Sequence, residues 1–241
     1  MSDRSGQRIL VTRAEQDCAG WTALLEERGY QAVYLPCIRF EVIRDTETAA
    51  ALYKALSTAT WLALTSARAA SALFDLMRSP LPPELGIAAV GGATAAAISE
   101  HLDRTAELIT EGSGAELARA LAERLRDGED AVVAAGSDRA ERHFERALEG
   151  RDVKFTRIAI YRTLPAPEQG AKRDLAADRL DAVLLASPSA AEGLIHLASL
   201  PGDLPVFSIG PTTTRAARSF GLRVAGEAAH PSLEGLLEVL P

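Results

Sequence analysis

At Trp61-Leu-Ala-Leu-Thr-Ser-Ala-Arg-Ala-Ala70, an apolar run ends at small hydroxyl residues and a helical pattern follows. The same pattern returns about 120 residues later at Ala182-Val-Leu-Leu-Ala-Ser-Pro-Ser-Ala-Ala191. Two further pairs repeat at a similar separation: Ala89-Val-Gly-Gly-Ala-Thr-Ala95 with Ser208-Ile-Gly-Pro-Thr-Thr-Thr214, and Glu111-Gly-Ser-Gly-Ala-Glu-Leu117 with His230-Pro-Ser-Leu-Glu-Gly235. The repeat predicts two similar domains with backbone N–H groups at several helix starts. Such groups suit one large anionic ligand held between the two halves.

Length and composition indicate a globular protein of two domains. The chain has 241 residues, more than a typical single domain. Its 47% hydrophobic and 24% charged residues exclude a disordered chain. The net charge of −7 argues against nucleic acid and anionic membranes as partners, because both recruit basic surfaces. An anionic small molecule stays open, since backbone N–H groups bind anions without adding net charge.

The sequence carries no signal for export or membrane insertion. Residues 1–8 are polar, which indicates that no signal peptide is present. No apolar run approaches the roughly 20 residues that span a bilayer. Cys18 and Cys37 give neither a disulfide framework nor a metal-ligand spacing. We therefore expect a cytoplasmic monomer that acts on a small-molecule substrate without nucleic acid, membrane or metal.

Short apolar strands alternate with helical patterns in four units. Strands are predicted at 8–12, 32–35, 60–64, 87–90, 130–135 and 181–185. Helices are predicted at 21–28, after Ser66, from about Thr94, at 115–126, and from a turn at Gly136-Ser137 to about Leu148. The fourth unit, from 181 to 240, mirrors the second. Such alternation is typical of parallel sheets covered on both faces, so we expect an α/β fold with two doubly wound domains.

Two extended segments, 37–43 and 157–163, fit this scheme poorly. Each alternates in polarity, follows a finished unit and is flanked by a proline, Pro36 or Pro165. They are interpreted either as edge strands or as paired crossings between domains. With paired crossings, the inner domain spans about 44–156 and the outer domain combines both ends of the chain. The alternative is two tandem domains split near residue 128, and periodicity alone leaves both arrangements open.

Candidate ligand-binding residues lie at the corners where strands end. In open α/β sheets, ligands bind at the carboxyl ends of strands, where helix N-termini offer N–H donors. Six corners are predicted: Thr12-Arg13, Thr65-Ser66-Ala-Arg68, Gly91-Gly-Ala-Thr94, Gly136-Ser137, Ser187-Pro-Ser189 and Gly210-Pro-Thr-Thr213. A single corner is more often only an N-cap, but six together favour an anion site. None matches the Walker or G-x-G-x-x-G pattern, which disfavours nucleotide binding.

Several side chains near the corners are suited to carboxylates. Arg13, Arg68 and Arg139 lie one to three residues past their corners and can clamp a carboxylate, although a solvated helix face explains them equally well. Thr212 and Thr213 follow Gly210-Pro211, where the proline fixes the turn and the hydroxyls can face the ligand.

The sequence favours neither metal nor nucleophilic chemistry. His101, His143, His196 and His230 share no metal-ligand spacing, and the serines lack a G-x-S-x-G elbow. Tyr161 is the one reactive group in an unusual place, on the second extended segment. A phenol stays protonated at neutral pH and can donate to a leaving oxygen. Packing against a cross-strand neighbour is an equally good explanation of an aromatic residue there.

Six short motifs occur in an order and spacing that resemble one enzyme family. They are Thr65-Ser-Ala-Arg68, Val90-Gly91 with Thr94, Tyr161 within Ile160-Tyr-Arg-Thr163, Ser187-Pro-Ser189, Ile209-Gly-Pro-Thr-Thr213, and Pro231-Ser232 with Gly235. Together they resemble the uroporphyrinogen-III synthase family over essentially the whole chain. The resemblance implies two flavodoxin-like domains joined by a two-stranded antiparallel linker, with the active site in the cleft. The outer domain would then be 1–37 plus 164–241, the inner domain 44–156, and the linker 38–43 with 157–163.

The resemblance also implies a reaction. Enzymes of this family are lyases of haem and porphyrin biosynthesis. They convert hydroxymethylbilane, a linear tetrapyrrole rich in carboxylates, into uroporphyrinogen III with loss of water and inversion of ring D, without a cofactor. A pyrrole nitrogen can expel the hydroxyl with its own electrons, so the protein needs an acid near that oxygen. The family pattern makes Tyr161 the proton donor. It also makes Thr65, Ser66, Ser187, Thr212 and Thr213 carboxylate contacts, with Gly91 and Gly210 allowing close backbone approach.

A second class of function is compatible with the same repeat. Two similar α/β domains with paired crossings are also typical of non-enzymatic binding or sensor modules for anionic small molecules, because a fold does not fix function. The absence of a signal peptide disfavours a periplasmic version of such a module. A binding module has no use for Tyr161 as a proton donor, and this distinguishes the two hypotheses.

Overall fold

The structure is a computed structural model that describes residues 6–13, 18, 20–167, 170–230 and 232–240. Strands and helices alternate along most of the chain. The strands are β1 (Gln7–Val11), β2 (Tyr30–Tyr34), β3 (Ile38–Val42), β4 (Trp61–Leu64), β5 (Gly86–Val90), β6 (Leu108–Thr110), β7 (Ala131–Ser137), β8 (Lys154–Pro165), β9 (Arg173–Asp174), β10 (Ala182–Leu185), β11 (Ala198–Ser199), β12 (Val206–Ser208) and β13 (Val224–Glu227). The helices are α1 (Trp21–Glu27), α2 (Thr46–Leu56), α3 (Ala67–Leu76), α4 (Gly91–Leu102), α5 (Gly114–Ala122), α6 (His143–Ala147), α7 (Pro188–Leu197), α8 (Pro211–Ser219) and α9 (Leu233–Val239).

The chain divides into two compact units, each with its own main sheet. Unit 1 comprises Met1–Arg39 and Leu164–Pro241, and unit 2 comprises Phe40–Thr163. The first sheet has the order β13-β12-β10-β1-β2, and the second has the order β3-β8-β7-β4-β5-β6. The pairs within β13-β12-β10-β1-β2 and within β8-β7-β4-β5-β6 are parallel. The predicted α/β class with mostly parallel sheets is therefore confirmed.

The doubled sequence pattern corresponds to a doubled order of elements. The main-sheet strands and the helices of unit 2 run β4-α3-β5-α4-β6-α5, and those of unit 1 run β10-α7-β12-α8-β13-α9. The first helix of each series is capped in the same way. The Ser66 oxygen accepts the N–H of Ala69 at 3.1 Å, and the Ser187 oxygen accepts the N–H of Ala190 at 3.1 Å. These caps explain why the serines recur at the ends of the apolar runs.

Both faces of each main sheet are covered, which explains the continuous apolar strands. On β4, Leu62 and Leu64 belong to one core cluster, whereas Ala63 belongs to another that contains Leu117. On β1 in unit 1, Ile9 and Val11 pack in one cluster and Leu10 packs in a second. Successive strand side chains point to opposite faces, so apolar residues at every position require two cores per sheet.

The predicted helix start at Gly136-Ser137 is wrong. β7 continues through both residues and pairs with β8 as far as Ser137 opposite Tyr161, with a bulge between Gly136 and Ser137. The following helix, α6, begins only at His143 and has 5 residues. Gly-Ser is a turn signal locally, but pairing with a strand far along the chain overrides it.

Other differences concern element ends and short elements. α4 begins at Gly91, before the expected start near Thr94, and α5 ends at Ala122, before the expected end at Arg126. α2 was not predicted, although Asp45 caps it by accepting the N–H of Thr48 at 2.7 Å. The unpredicted strands β6 and β13 lie at sheet edges and are only three and four residues long. Among the described residues, no helix is long and apolar enough to cross a membrane.

Helix α7 packs tightly against the chain near Cys37. A methyl group at Gly193 would lie 1.8 Å from the Cys37 carbonyl oxygen, so only glycine allows this approach. That carbonyl accepts the N–H of Ala166 at 2.8 Å. The Cys37 thiol donates to the Leu35 carbonyl at 3.1 Å. Because it is buried, desolvation raises the pKa of the Cys37 thiol from 9.0 to about 12.

Candidate functional site

Five candidate residues of unit 2, including Arg68 in the first turn of α3, lie near the starts of α3 and α4. Ser66 adopts an extended conformation at the N-cap of α3, immediately after the exposed Thr65. Gly91 begins α4 with φ of +74°, a value that L side chains rarely adopt. A Cβ built at Gly91 would meet no atom within 4 Å, so open space adjoins the start of α4. Thr94 is 3% exposed, so its side chain belongs to the protein interior.

Two candidates of unit 1 follow β1. Thr12 is fully buried, and its hydroxyl donates to the Leu184 carbonyl at 2.8 Å. This bond ties the end of β1 to β10, so the Thr12 side chain has a structural partner. The guanidinium of Arg13 lies 5.4 Å from the centroid of the Trp21 ring, which is within the range of a cation–π contact.

The remaining candidates of unit 1 lie at the starts of α7 and α8. Ser187 caps α7, and Ser189 in its first turn is 3% exposed. Gly210 precedes Pro211, the first residue of α8, and its φ of 165° is an extended conformation open to any residue. Thr212 is exposed, whereas Thr213 is 1% exposed. The expectation that both threonine hydroxyls face a ligand therefore applies to Thr212 alone in this structure.

Ser137 lies beside Tyr161, although it does not start a helix. Its hydroxyl accepts the N–H of Arg139 at 3.1 Å and donates to an oxygen of Asp138 at 3.2 Å. The N–H of Asp138 donates to the Tyr161 carbonyl at 3.0 Å. The corner at Gly136-Ser137 thus fixes the backbone of Tyr161, a role that the sequence pattern did not indicate.

Tyr161 combines a packing role with a polar contact. Its ring contacts Phe40 edge to face, with centroids 6.3 Å apart and planes at 68°. Its hydroxyl shares a hydrogen bond of 3.2 Å with the Ser66 hydroxyl. Tyr161 is 8% exposed. The contact with Phe40 is the cross-strand packing that the sequence left open, while the role of Tyr161 as a proton donor stays a prediction.

The hydrogen bond between Ser66 and Tyr161 can form with either hydroxyl as the donor. The Ser66 oxygen accepts the N–H of Ala69, so its own O–H can donate to the Tyr161 oxygen. In that arrangement the phenolic proton can point to another acceptor. The positive end of the α3 dipole also lies at Ser66 and favours negative charge nearby. The arrangement is chemically suited to a phenol that gives up a proton.

Phe40 and Arg68 continue the contacts that Ser66 and Tyr161 begin. The central guanidinium carbon of Arg68 lies 3.1 Å from the Phe40 ring centroid, and Phe40 in turn contacts Tyr161. Phe40 was not a sequence candidate. The alternating polarity of β3 next to β8 is the signal that would have placed it beside the tyrosine. We call Ser66, Arg68, Phe40 and Tyr161 the tyrosine cluster.

A cavity of about 240 Å³ opens near the ends of β4 and β7 in unit 2. Its apolar wall includes Ala63, Phe144 and Phe155, its polar residues include Thr65, Glu141, His143, Glu145 and Arg157, and the backbone of Gly136 also lines it. Arg157 pairs with Glu145, and the His143 ring lies 3.5 Å from a Glu141 oxygen. Thr65 and Gly136 are sequence candidates that the cavity brings together, whereas His143 was considered in the sequence only as a histidine without metal-ligand spacing.

The family model described as uroporphyrinogen-III synthase HemD matches residues 19–238. The chain belongs to the uroporphyrinogen-III synthase family. The resemblance inferred from the motifs is thereby confirmed, and with it the enzyme class, a lyase of porphyrin biosynthesis. One motif residue of that resemblance, Pro231, lies outside the described residues, while Ser232 caps α9 by accepting the N–H of Gly235 at 3.1 Å.

Individual relatives of this uroporphyrinogen-III synthase family member agree with the assignment. The chloroplastic uroporphyrinogen-III synthase of Oryza sativa subsp. japonica is 28% identical over 238 residues, which cover 95% of this chain and 78% of the relative. The porphyrin biosynthesis protein HemD of Ruminiclostridium josui is 28% identical over 233 residues, or 90% of this chain. The chain spans 45% of the length of that second protein.

Solved structures support the fold. The uroporphyrinogen-III synthetase of Helicobacter pylori aligns with a TM-score of 0.57 and 17% identity, covering 97% of both chains. A mutant uroporphyrinogen III synthase of Thermus thermophilus aligns with a TM-score of 0.51 and 17% identity, covering 96% of both chains. At this identity the likeness concerns the fold alone.

Proposed function

We propose that this chain is a uroporphyrinogen-III synthase that closes hydroxymethylbilane to uroporphyrinogen III with inversion of ring D and loss of water. The family match over residues 19–238 carries the proposal. The tyrosine cluster supports it, because it contains an acid of the kind that the leaving hydroxyl requires. No cofactor is needed, since the pyrrole nitrogen supplies the electron pair that breaks the carbon–oxygen bond.

Tyr161 is the proton donor in this proposal. The bond between the hydroxymethyl carbon and its oxygen breaks as the pyrrole nitrogen releases electrons. Tyr161 gives its proton to the departing oxygen, and water leaves. The Ser66 hydroxyl, 3.2 Å from the Tyr161 oxygen, stabilises the resulting phenolate by donating to it. The substituted carbon of ring D then bonds to the methylene carbon that lost the hydroxyl, and the bond from this ring carbon to its original bridge carbon breaks. The freed bridge carbon bonds to the unsubstituted carbon of ring D, whose proton is released and restores the phenol, so the net change is loss of one water.

The starts of α3, α4, α7 and α8 are proposed to bind substrate carboxylates. Thr65, Ser66 and Thr212 offer hydroxyls, while Arg13 offers a guanidinium group. The side chains of Thr12, Thr94, Ser189 and Thr213 are buried, so any contact from these residues would come through the backbone. Gly91, Gly210 and Ser187 lie at helix starts with N–H donors. Ser137, with Gly136, contributes through the backbone of Tyr161.

The domain organisation is part of the proposal. We infer two flavodoxin-like domains, an outer one of 1–37 plus 164–241 and an inner one of 44–156, with 38–43 and 157–163 as an antiparallel linker. The two compact units and the strand order 2-1-3-4-5 of unit 1, counted along the chain, support this inference. We expect the protein to act as a cytoplasmic monomer on a small-molecule substrate, without nucleic acid or membrane.

Isomer analysis tests the proposal. Purified protein is incubated with hydroxymethylbilane, and the cyclised products are separated after oxidation to porphyrins. We expect isomer III to dominate, because the substrate left alone closes without inversion to isomer I. Recovery of the same isomer I fraction as in a protein-free control would reject the enzyme and favour the binding module.

A further inference from the structure

Phe40 links the guanidinium of Arg68 to the ring of Tyr161. Phe40 lies on β3, Tyr161 on the neighbouring strand β8, and Arg68 in the first turn of α3. The Arg68 guanidinium stacks on the Phe40 ring at 3.1 Å, and the Phe40 and Tyr161 rings meet edge to face at 6.3 Å. All three residues belong to unit 2, and Ser66, which precedes Arg68 by two positions, reaches the Tyr161 hydroxyl.

The hydrogen bond with Ser66 and the ring contact with Phe40 restrict different motions of the Tyr161 side chain. A hydrogen bond to Ser66 fixes the hydroxyl, but the ring can still tilt about it. An edge-to-face neighbour restricts that tilt, because aromatic quadrupoles favour a narrow range of angles. The guanidinium of Arg68 packs on the face of the Phe40 ring. The cation–π attraction between them restricts the motion of both side chains. Proton transfer depends steeply on such geometry.

We propose that Arg68 and Phe40 are positioning residues that orient Tyr161 for proton transfer. The proposal rests on the proposed function, in which Tyr161 is the donor. It gives Arg68 a role different from the carboxylate clamp that its sequence position suggests. A clamp acts on substrate binding and changes KM, whereas a positioning residue acts through Tyr161 and changes kcat.

Single variants separate the two roles of Arg68. Phe40→Leu keeps an apolar side chain but removes the aromatic face, and Arg68→Met keeps the length of the side chain but removes the charge. We expect each to lower kcat about tenfold, within the range for a misplaced catalytic group, with KM changed less than about twofold. Arg68→Lys retains a cation for the Phe40 face and should recover most of kcat. A rise in KM of about tenfold at constant kcat would instead assign Arg68 to carboxylate binding and overturn the proposal.

Combination with Tyr161→Phe gives the stricter test. If Arg68 and Phe40 act only through the Tyr161 hydroxyl, neither variant slows the Tyr161→Phe protein further. Multiplicative losses of kcat in the double variants would contradict the proposal. Phe74→Leu serves as the control for a Phe-to-Leu change in unit 2, because Phe74 is 54% exposed and contacts His101 instead. We expect this control to retain the kcat of the starting protein.

Two further measurements keep the outcomes distinct. Urea unfolding of every variant shows whether the fold is intact; should Phe40→Leu fail to fold, the pair Arg68→Met and Arg68→Lys decides alone. Failure of the starting protein to form isomer III overturns the proposed function itself. Formation of isomer III at unchanged kcat in Arg68→Met and Phe40→Leu overturns only the positioning role.

Discussion

The side-chain oxygens of Ser66 and Tyr161 lie 3.2 Å apart, although 95 positions separate the two residues along the chain. Ser66 is one half of a repeated feature, since Ser187 caps α7 as Ser66 caps α3. Tyr161 is not repeated, because Phe40 occupies the extended segment of the first half. The contact therefore joins the repeated part of the molecule, where we propose anion-binding corners, to the unrepeated part, where we propose the acid.

Ser66→Ala tests whether the cap also serves the tyrosine. The variant loses the acceptor for the Ala69 N–H and the partner of the Tyr161 hydroxyl. We expect the free energy of unfolding to fall by about 1 kcal/mol, as for other N-cap losses. We also expect kcat for isomer III to fall by roughly three- to tenfold, the equivalent of one hydrogen bond. Steady-state kinetics and urea unfolding measure the two effects.

Asp45→Ala is the matched control for Ser66→Ala. Asp45 caps α2 in the same unit by accepting the N–H of Thr48 at 2.7 Å, and it lies outside the tyrosine cluster. The control should lose a similar amount of stability and keep its kcat. Equal losses of kcat in both variants would show that Ser66 acts on stability alone.

Gly91→Ala tests the backbone approach at the start of α4. Alanine at the φ of +74° costs about 1 kcal/mol of strain, and its methyl group enters the open space beside the helix start. Gly221 has φ of +79°, and a methyl group there would also meet no atom within 4 Å, so Gly221→Ala carries the same strain away from the candidate corners. We expect KM to rise about tenfold in Gly91→Ala only, as for one weakened charge-assisted hydrogen bond. Equal KM values in the two variants would exclude a substrate contact at Gly91.

Cys37 makes the stability of the protein pH-dependent above pH 9. Burial raises the pKa of its thiol from 9.0 to about 12, so the folded protein keeps a proton that the unfolded chain releases. The stabilisation is fully present below pH 9 and is lost as the pH rises through 12, at about 1.4 kcal/mol per pH unit in between. Urea unfolding of wild type and Cys37→Ala should give a stability difference that shrinks across this window. A difference independent of pH would contradict the assignment.

The sequence was sufficient for those parts of the fold that local chemistry determines. Ser66 and Ser187 marked helix starts because a small side chain with an oxygen acceptor is preferred at that position, and the apolar runs before them marked strands buried on both faces. The end of β7 depends instead on pairing with β8, which no local signal near Ser137 reveals. β6 and β13 were missed for a related reason, since short edge strands carry little apolar pattern.

In the candidate site, too, local sequence indicates some features, whereas others depend on contacts between distant segments. Tyr161 was selected because a phenol on an extended segment is unusual, but its contacts with Ser66 and Phe40 arise only when β3, β8 and α3 come together. Sequence reasoning also assigned Thr12 and Thr213 to ligand binding from their positions at corners. Both side chains are buried: Thr12 turns inward at the end of β1 and bonds to Leu184, and Thr213 lies on the buried face of α8.

The rate of isomer III formation by Tyr161→Phe tests the central claim most directly. Tyr34→Phe is the matched control, because the Tyr34 hydroxyl also pairs with a hydroxyl, that of Thr22 at 2.6 Å, in unit 1. With hydroxymethylbilane as substrate, we predict that Tyr161→Phe slows isomer III formation by roughly ten- to a thousandfold, the usual range for loss of a general acid. Tyr34→Phe should retain the wild-type rate. A wild-type rate in folded Tyr161→Phe would contradict the account and remove Tyr161 from the chemistry.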